Sequence, residues 1–286
     1  MPELNHDSPA SIRAFLESRD LAPRKRWGQN FLINRGAREK IVGLLDAGPG
    51  LSAWEIGPGL GAMSALILDS GARLTVFEID PAYREWLAES LGASADMEIV
   101  PGDVMKTWED RWDRSPPDRI LGNLPYNAAS AIIAAFIESG KTAPVMVFTV
   151  QDEMGRRMMA EPGGKDYSSF TVLCRTAARV IDGGRLTPGS FYPPPRVHSR
   201  IIVLRPEATF GAIADPPLFR ALVRRMFASR RKTIGNNLKA AASLGRPLPG
   251  AEALAAAFAA EGIDLGRRPE TVGPGQWVSL ANRLPE

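Results

Sequence analysis

The chain has 286 residues, 44% of them hydrophobic and 23% charged. That composition suits one or two folded domains and excludes a disordered or fibrous protein. The net charge of +3 is too slight to establish a nucleic-acid partner unless the basic residues are gathered in one place.

Cys174 is the only cysteine, so no internal disulfide can form, as expected in a reducing cytoplasm. It falls in the apolar pattern "SFTVLCRTAARV", where a buried thiol is expected. His6 and His198 have no ligand-like neighbours in sequence, so no zinc site is expected. The first residues lack the basic-then-apolar pattern of a signal segment. No apolar run approaches the ~18 residues of a membrane span. A soluble cytoplasmic protein is the expectation.

In chain order, "SPASIRAFLESRD" predicts a short helix with Ser8 as N-cap and Pro9 at its first position. A basic, polar connector follows, "APRKRWGQNFLINRG", holding Trp27 and Phe31; "AREKIVGLLDAG" is again helical. The rhythm then changes. "SAWEIG" reads as a strand, "PGLG" as a turn and "AMSALILDSG" as a helix. "RLTVFEID" is a strand and "PAYREWLAESLG" a helix. "MEIVPGD" and "DRILGNLP" are strands, "SAIIAAFIESG" a helix and "PVMVFTV" a strand. This alternation predicts an α/β fold, a mainly parallel sheet with helices on both faces. "QDEMGRRMMAEPGGKDYSSFTVLCRTAARV" is mostly helical with a break at "EPGGKDY". The proline-rich "FYPPPRVHSRIIVLRPE" leads into a last strand. Beyond residue 207 the strands stop and helices separated by Gly and Pro take over, which places a domain boundary at 206/207.

Three strand ends carry chemistry. "EIGPGLG" brings Gly57, Gly59 and Gly61 between a strand and a helix, where missing side chains let a ligand approach the backbone. Glu78 ends the next strand, 21 residues after Gly57, and a carboxylate there suits both hydroxyls of a ribose. Asp103, in "VPGDV", suits an adenine amino group. Gly and Asp also mark ordinary turns, but here they fall at successive strand ends. The spacing G-x-G-x-G differs from the G-x-G-x-x-G of a pyrophosphate-binding turn, which favours S-adenosylmethionine over a dinucleotide.

A fourth strand end, "GNLPYN", adds an amide, a proline and an aromatic ring. The oxygen of Asn123 and the carbonyl of Leu124 supply two acceptors for an amino group. Pro125 holds Leu124 extended, and Tyr126 offers a face for a base, worth about 1–3 kcal/mol. Such a set suits the exocyclic amine of a flipped-out base. Two acceptors favour a tetrahedral, nucleophilic nitrogen, and no strong base is needed when the methyl donor is a sulfonium.

With "GQNFL", "EIGPGLG", "FEID", "GD", "NLPYN", "KDYSSFTV", "FYPPPRV", "RRKTIGNNL" and "RPE" in this order, the chain resembles the small-subunit ribosomal RNA adenine dimethyltransferases from residue 28 to about residue 270. The resemblance implies a class I methyltransferase Rossmann-like sheet with a small all-helical C-terminal domain. It implies an S-adenosylmethionine-dependent methyltransferase domain at 1–206, including a helix and substrate-side connector at 1–36, and a helical RNA-binding domain at 207–286. The expected reaction is conversion of two adjacent adenines near the 3′ end of 16S ribosomal RNA, within the 30S subunit, to N6,N6-dimethyladenine. A monomer without metal or membrane partner is expected. Carried over by position, Asn30, Leu32, Gly57, Glu78, Asp103 and Asn123 would contact S-adenosylmethionine. Asn123, Leu124, Pro125, Tyr126 and Phe191 would form the catalytic set, with Tyr126 and Phe191 on the two faces of the adenine. The family usually has a lysine where this chain has Asp152, an alanine at Gly155, and acidic and small residues at His198 and Arg200.

Residues 220–239 hold seven basic side chains and no acid, leaving −4 for the rest of a +3 chain. Phe219, Leu222, Val223, Met226 and Phe227 recur at helical spacing and are expected to pack inward. Arg224, Arg225, Arg230, Arg231 and Lys232 are then candidates for phosphate contact. Three other readings share parts of this pattern. One is a 23S RNA methyltransferase of the erythromycin-resistance type, which "RRKTIGNN" and "RPE" disfavour. Another is a noncatalytic RNA-binding assembly factor, disfavoured by the intact strand-end residues. The last is a nicotinamide oxidoreductase, disfavoured by the glycine spacing.

Overall fold

The computed structural model describes residues 4–21, 28–92, 94–207, 211–239 and 248–284. The connector's basic run with Trp27 and the expected helical extension at 240–243 lie outside them. The chain forms two compact units. One comprises Met1–Gly155 and Ile181–Arg205, the other Arg156–Val180 and Pro206–Glu286. The chain crosses between them at 155/156, 180/181 and 205/206, the last one residue before the expected boundary at 206/207. The structure differs in giving Arg156–Val180 to the helical unit, because Tyr167 and Val172 pack into that unit's core.

The first unit opens with α1 (Pro9–Ser18), capped by the Ser8 side chain, which accepts from the Ser11 amide at 3.2 Å. It continues through β1 (Phe31–Leu32), α2 (Arg35–Leu45), β2 (Ser52–Ile56), α3 (Ala62–Asp69), β3 (Arg73–Glu78) and α4 (Pro81–Ser90). Then come β4 (Met97–Pro101), α5 (Val104–Arg114), β5 (Arg119–Asn123), α6 (Ala129–Ser139) and β6 (Val145–Gln151). The chain crosses through α7 (Asp152–Met159) and α8 (Ser169–Ala177) and returns along β7 (Ala178–Leu186), β8 (Phe191–Tyr192) and β9 (Ser199–Pro206).

Seven strands form one sheet in the order β4-β3-β2-β5-β6-β9-β7. The pairs β2–β3, β2–β5, β3–β4 and β5–β6 are parallel, and β9 runs antiparallel to β6. The central strands are apolar because both faces are covered: Ala53, Val76, Leu121 and Val147 are all buried within one cluster. Ile56 is opposite Phe77 on one side and Gly122 on the other. The residues that follow these three, Gly57, Glu78 and Asn123, therefore stand in a row along one sheet edge. Glu78 is opposite Pro101, which sets Asp103 just past the neighbouring strand. A separate ribbon pairs β1 with β8, Leu32 opposite Phe191.

The second unit adds α9 (Pro216–Met226), α10 (Ile234–Lys239), α11 (Ala251–Ala260) and α12 (Pro274–Asn282) to Arg156–Val180. Phe219, Leu222, Val223 and Met226 are buried, with Phe227 half-buried against the same core. Phe227 lies between Tyr167 and Trp277, with ring centroids 6.1 and 5.8 Å away. The Tyr167 hydroxyl donates to the Val272 carbonyl at 2.8 Å. Cys174 is fully buried in α8, and burial pushes its thiol pKa up. Among the described residues no helix is long and apolar enough to cross a membrane.

Candidate active site

The row of strand ends borders a cavity of about 690 Å³, its open mouth included. Asn30, Leu32, Gly57, Glu78 and Asn123 all line it. Five of the six residues assigned to cofactor contact thus meet in one place.

The turn after β2 makes room for a ligand. Gly57 has φ 70°, and a Cβ built there would meet nothing within 4 Å, so the space beside it belongs to the cavity. At Gly59 (φ 57°) a Cβ would come within 3.1 Å of the Phe31 ring. Its bare amide donates to Glu78 Oε2 at 3.2 Å. The other oxygen of Glu78 accepts from the Asp80 amide at 2.8 Å. Burial raises the Glu78 pKa to about 7, against the opposing effect of these two amides. Behind it, Glu55 of β2 is fully buried and bonded to the Ser64 hydroxyl at 2.5 Å, and burial lifts its pKa to about 7 as well. A carboxylate at a glycine-lined edge is the acceptor that a ribose diol needs, and the residues present fit that group.

Asn123 is oriented by a distant segment. Its Nδ2 donates to the Asn30 carbonyl at 2.8 Å, and Asn30 Nδ2 donates to the Gly28 carbonyl at 3.0 Å. Gly28 is left-handed (φ 59°), and a Cβ there would lie 3.0 Å from Pro125 Cβ. The stretches "GQNFL" and "NLPYN" therefore form one structure. With its nitrogen engaged, Asn123 keeps its oxygen as the acceptor. The Leu124 side chain is buried and its amide donates to the Thr149 carbonyl at 3.2 Å. Pro125 turns the chain into α6, its carbonyl accepting from Ala128 and Ala129 at 2.9 Å each. Tyr126 is half-buried, with its hydroxyl 2.6 Å from Ser199 Oγ.

The other assigned residues, Asp103, Leu124, Pro125, Tyr126 and Phe191, lie outside this lining. Phe191 is 2% exposed and belongs to the core beneath the β1–β8 ribbon. Its ring is not on the cavity wall, and Tyr192 beside it is the more exposed. Asp103 does not line the cavity. It caps α5, accepting from the Met105 amide at 3.0 Å, a helix absent from the sequence reading because its middle is mostly charged.

The cavity also uses residues that sequence reasoning missed. Ile79 lines it and is 38% exposed; Met105, past the neighbouring strand end and outside the lining, is 40% exposed. Each directly follows or nearly follows an acid that closes a strand, a signal available in sequence. His6, Ile12 and Arg38 line the wall from outside the recognised motifs. Arg38 is 6% exposed, pairs with Asp7, and donates to the Leu32 carbonyl at 2.9 Å. The pKa of His6 falls to about 4, chiefly by burial and then by Arg38, so it is neutral near pH 7.

In the helical unit, Arg224, Arg230, Arg231 and Lys232 are exposed and Arg225 is half-buried. Arg225 Nη2 donates to the Leu238 carbonyl at 2.7 Å, so part of its role is structural. Arg230 donates to the Lys165 carbonyl at 2.7 Å and pairs with Glu270 at 3.4 Å.

A glycine turn, an acid and an N-L-P-Y strand end on this sheet define the class I methyltransferase fold and site. Solved structures agree. A dimethyladenosine transferase from Plasmodium falciparum superposes with a TM-score of 0.72 at 22% identity, covering 86% of this chain and 94% of that one. The 23S rRNA methyltransferase ErmE gives 0.64 at 25% identity over 89% and 99%. In sequence, the ribosomal RNA small subunit methyltransferase A of Borrelia garinii is 39% identical over 98% of this chain and 95% of its own. That of Treponema denticola is 38% identical over 82% and 81%. The chain belongs to the ribosomal RNA adenine dimethylase family, whose model matches residues 21–285.

Proposed function

We propose that this protein transfers methyl groups from S-adenosylmethionine to N6 of two adjacent adenines near the 3′ end of 16S ribosomal RNA, in the cytoplasm and on the small subunit. The observation that carries the reading is the tethered amide of Asn123. Its nitrogen is held by the Asn30 carbonyl, so its oxygen is the group left to receive an adenine amine.

Glu78, set beside the bare amides of the glycine turn, would hold the ribose of the cofactor. Ile79 and Met105 offer apolar surface at the adjoining strand ends. Asn30, Leu32 and Gly57 would bound the rest of the molecule. S-adenosylmethionine supplies a methyl carbon made electrophilic by a sulfonium, so the chemistry calls for neither a metal nor a strong base. The Asn123 oxygen and the Leu124 carbonyl accept the two N6 hydrogens and draw the lone pair out of conjugation with the ring. Tyr126 stacks on the base and fixes its plane. The burden falls on positioning, where misplacement by about 1 Å can cost on the order of 100-fold. Asp103 contributes by setting the start of α5, and Arg224, Arg230, Arg231 and Lys232 offer charge to the RNA phosphates.

The test is incubation of 50S particles, and of 30S particles whose adenines are unmodified, with labelled S-adenosylmethionine, followed by mapping of modified nucleotides. Dimethyladenine at two adjacent 16S positions is the expected product. Methylation confined to 23S RNA would overturn the assignment, and no methylation of either particle would overturn the activity.

A further inference from the structure

We propose that Ser199 is a positioning residue that holds the ring of Tyr126 in its stacking orientation. The inference rests on the reading of Tyr126 as the side chain that takes the adenine. Tyr126 Oη and Ser199 Oγ are 2.6 Å apart and share a hydrogen bond between residues 73 positions apart. Ser199 is fully buried, whereas Tyr126 stands half-buried on the turn after Pro125. A tyrosine held only by its Cα can swing about two side-chain torsions. A bond at the far end of the ring removes much of that freedom and fixes the tilt of any base resting on it.

Ser199 is itself held on both sides. It opens β9 opposite Gln151 at the end of β6. On one side the His198 carbonyl accepts from the Asp152 amide at 2.9 Å. On the other, Arg200 Nε donates to Asp152 Oδ1 at 2.8 Å and the same guanidinium pairs with Asp182. Arg185 adds a longer contact to Asp152 at 3.7 Å. Gly155 leaves space for the Arg200 stem, since a Cβ there would come within 2.8 Å of Arg200 Cδ. Asp152, Gly155 and Arg200 meet at this corner. Together they form a brace that ties the strand around Ser199 to the β6–α7 corner. An adenine that stacks on Tyr126 thus has its N6 placed, through one hydroxyl pair, by a buried and braced strand end.

The consequence is kinetic. Ser199→Ala is expected to lower kcat about five- to tenfold, the scale of one buried hydrogen bond, with S-adenosylmethionine affinity within about twofold of wild type. Tyr126→Phe keeps the ring and loses the hydroxyl, and should show the same fall. The double variant should be no slower than either single, because both remove one interaction. Ring-labelled tyrosine NMR, with the Tyr126 signal assigned by Tyr126→Phe, should show faster ring motion in Ser199→Ala while the amide spectrum of the rest of the fold is unchanged. Losses that multiply in the double variant, or unchanged turnover in Ser199→Ala, would overturn the proposal. Tyr126→Ala separates this from the underlying reading. If that variant is inactive while Ser199→Ala is normal, only the role of Ser199 fails. If it too is normal, the stacking role of Tyr126 fails.

Discussion

The two units carry function in opposite ways. In the sheet unit a few side chains stand on strand ends, held by named hydrogen bonds such as those to Glu78 and Asn123. In the helical unit Tyr167, Phe258 and Trp277 belong to the apolar interior, and the exposed Arg224, Arg230, Arg231 and Lys232 are proposed to act on RNA as a field. A site made of geometry should fail steeply when one residue changes. A site made of charge should fail gradually, in proportion to what is removed.

The largest effect expected is on the frame rather than on either site. Phe258 is fully buried with its ring edge-on to Trp277 at 6.2 Å. Phe258→Ala should cost about 3–5 kcal/mol, read as loss of the helical unit's unfolding transition in calorimetry. If S-adenosylmethionine affinity falls in parallel, the units do not divide the work as described.

Next is Asn123→Ala. Methyl transfer should fall on the order of 100-fold, with a smaller loss of cofactor affinity because the Asn30 carbonyl loses its donor. Single-turnover kinetics at saturating cofactor would show it, and near-normal rates would mean the nucleophile is held elsewhere.

A third expectation concerns pH. Burial raises the Glu78 carboxyl to about 7, and under the proposed function its ionised form would accept both ribose hydroxyls. S-adenosylmethionine affinity should therefore rise about tenfold from pH 6 to pH 8. Glu78→Gln should bind more weakly at pH 8 and flatten that dependence. Glu55 and Asp80 neighbour this carboxyl, so a slope that survives in Glu78→Gln would assign the titration to Glu55. Stability without cofactor runs the other way. Two carboxyls raised above their unfolded values favour the folded state most below pH ~4.5, and that contribution is lost as pH rises toward 7. Chemical denaturation across this range checks the sign.

The smallest single-site effects belong to the basic face. Replacing Arg230, Arg231 and Lys232 by Ala should weaken 30S binding severalfold and make its logarithmic salt dependence shallower, by at most about 0.7–0.9 for each phosphate left unneutralised. Arg230 is partly engaged by Lys165 and Glu270, so it should contribute less than Arg231 or Lys232. Equal slopes for variant and wild type would make this face a solvated surface.

The same contrast explains what could be read from sequence. The strand-end residues were legible because each closes an apolar run whose length sets its position, as with Gly57, Glu78 and Asn123. Helix α5 was not, because "KTWEDRWDR" turns few apolar side chains, Trp108 chief among them, toward the sheet. Strand β7 was read through as helix and loop, since "IDGGRL" combines a double glycine with charge. The assignment of Arg156–Val180 to the helical core depends on where Tyr167 and Val172 dock, which no local pattern encodes. Nor does position in a motif convey burial: Phe191 follows a turn in a proline-rich loop, yet its ring packs in the core.

The brace around Ser199 constrains the routes by which this chain can change. Lysine at Asp152 alone would set an ammonium against the guanidinium of Arg200 and near Arg185. Alanine at Gly155 alone would press on the Arg200 stem. A small residue at Arg200 alone would leave Asp152, 6% exposed, without its nearest cation. Each change is thus costly by itself and becomes tolerable only in company, so the three positions behave as one mechanical unit.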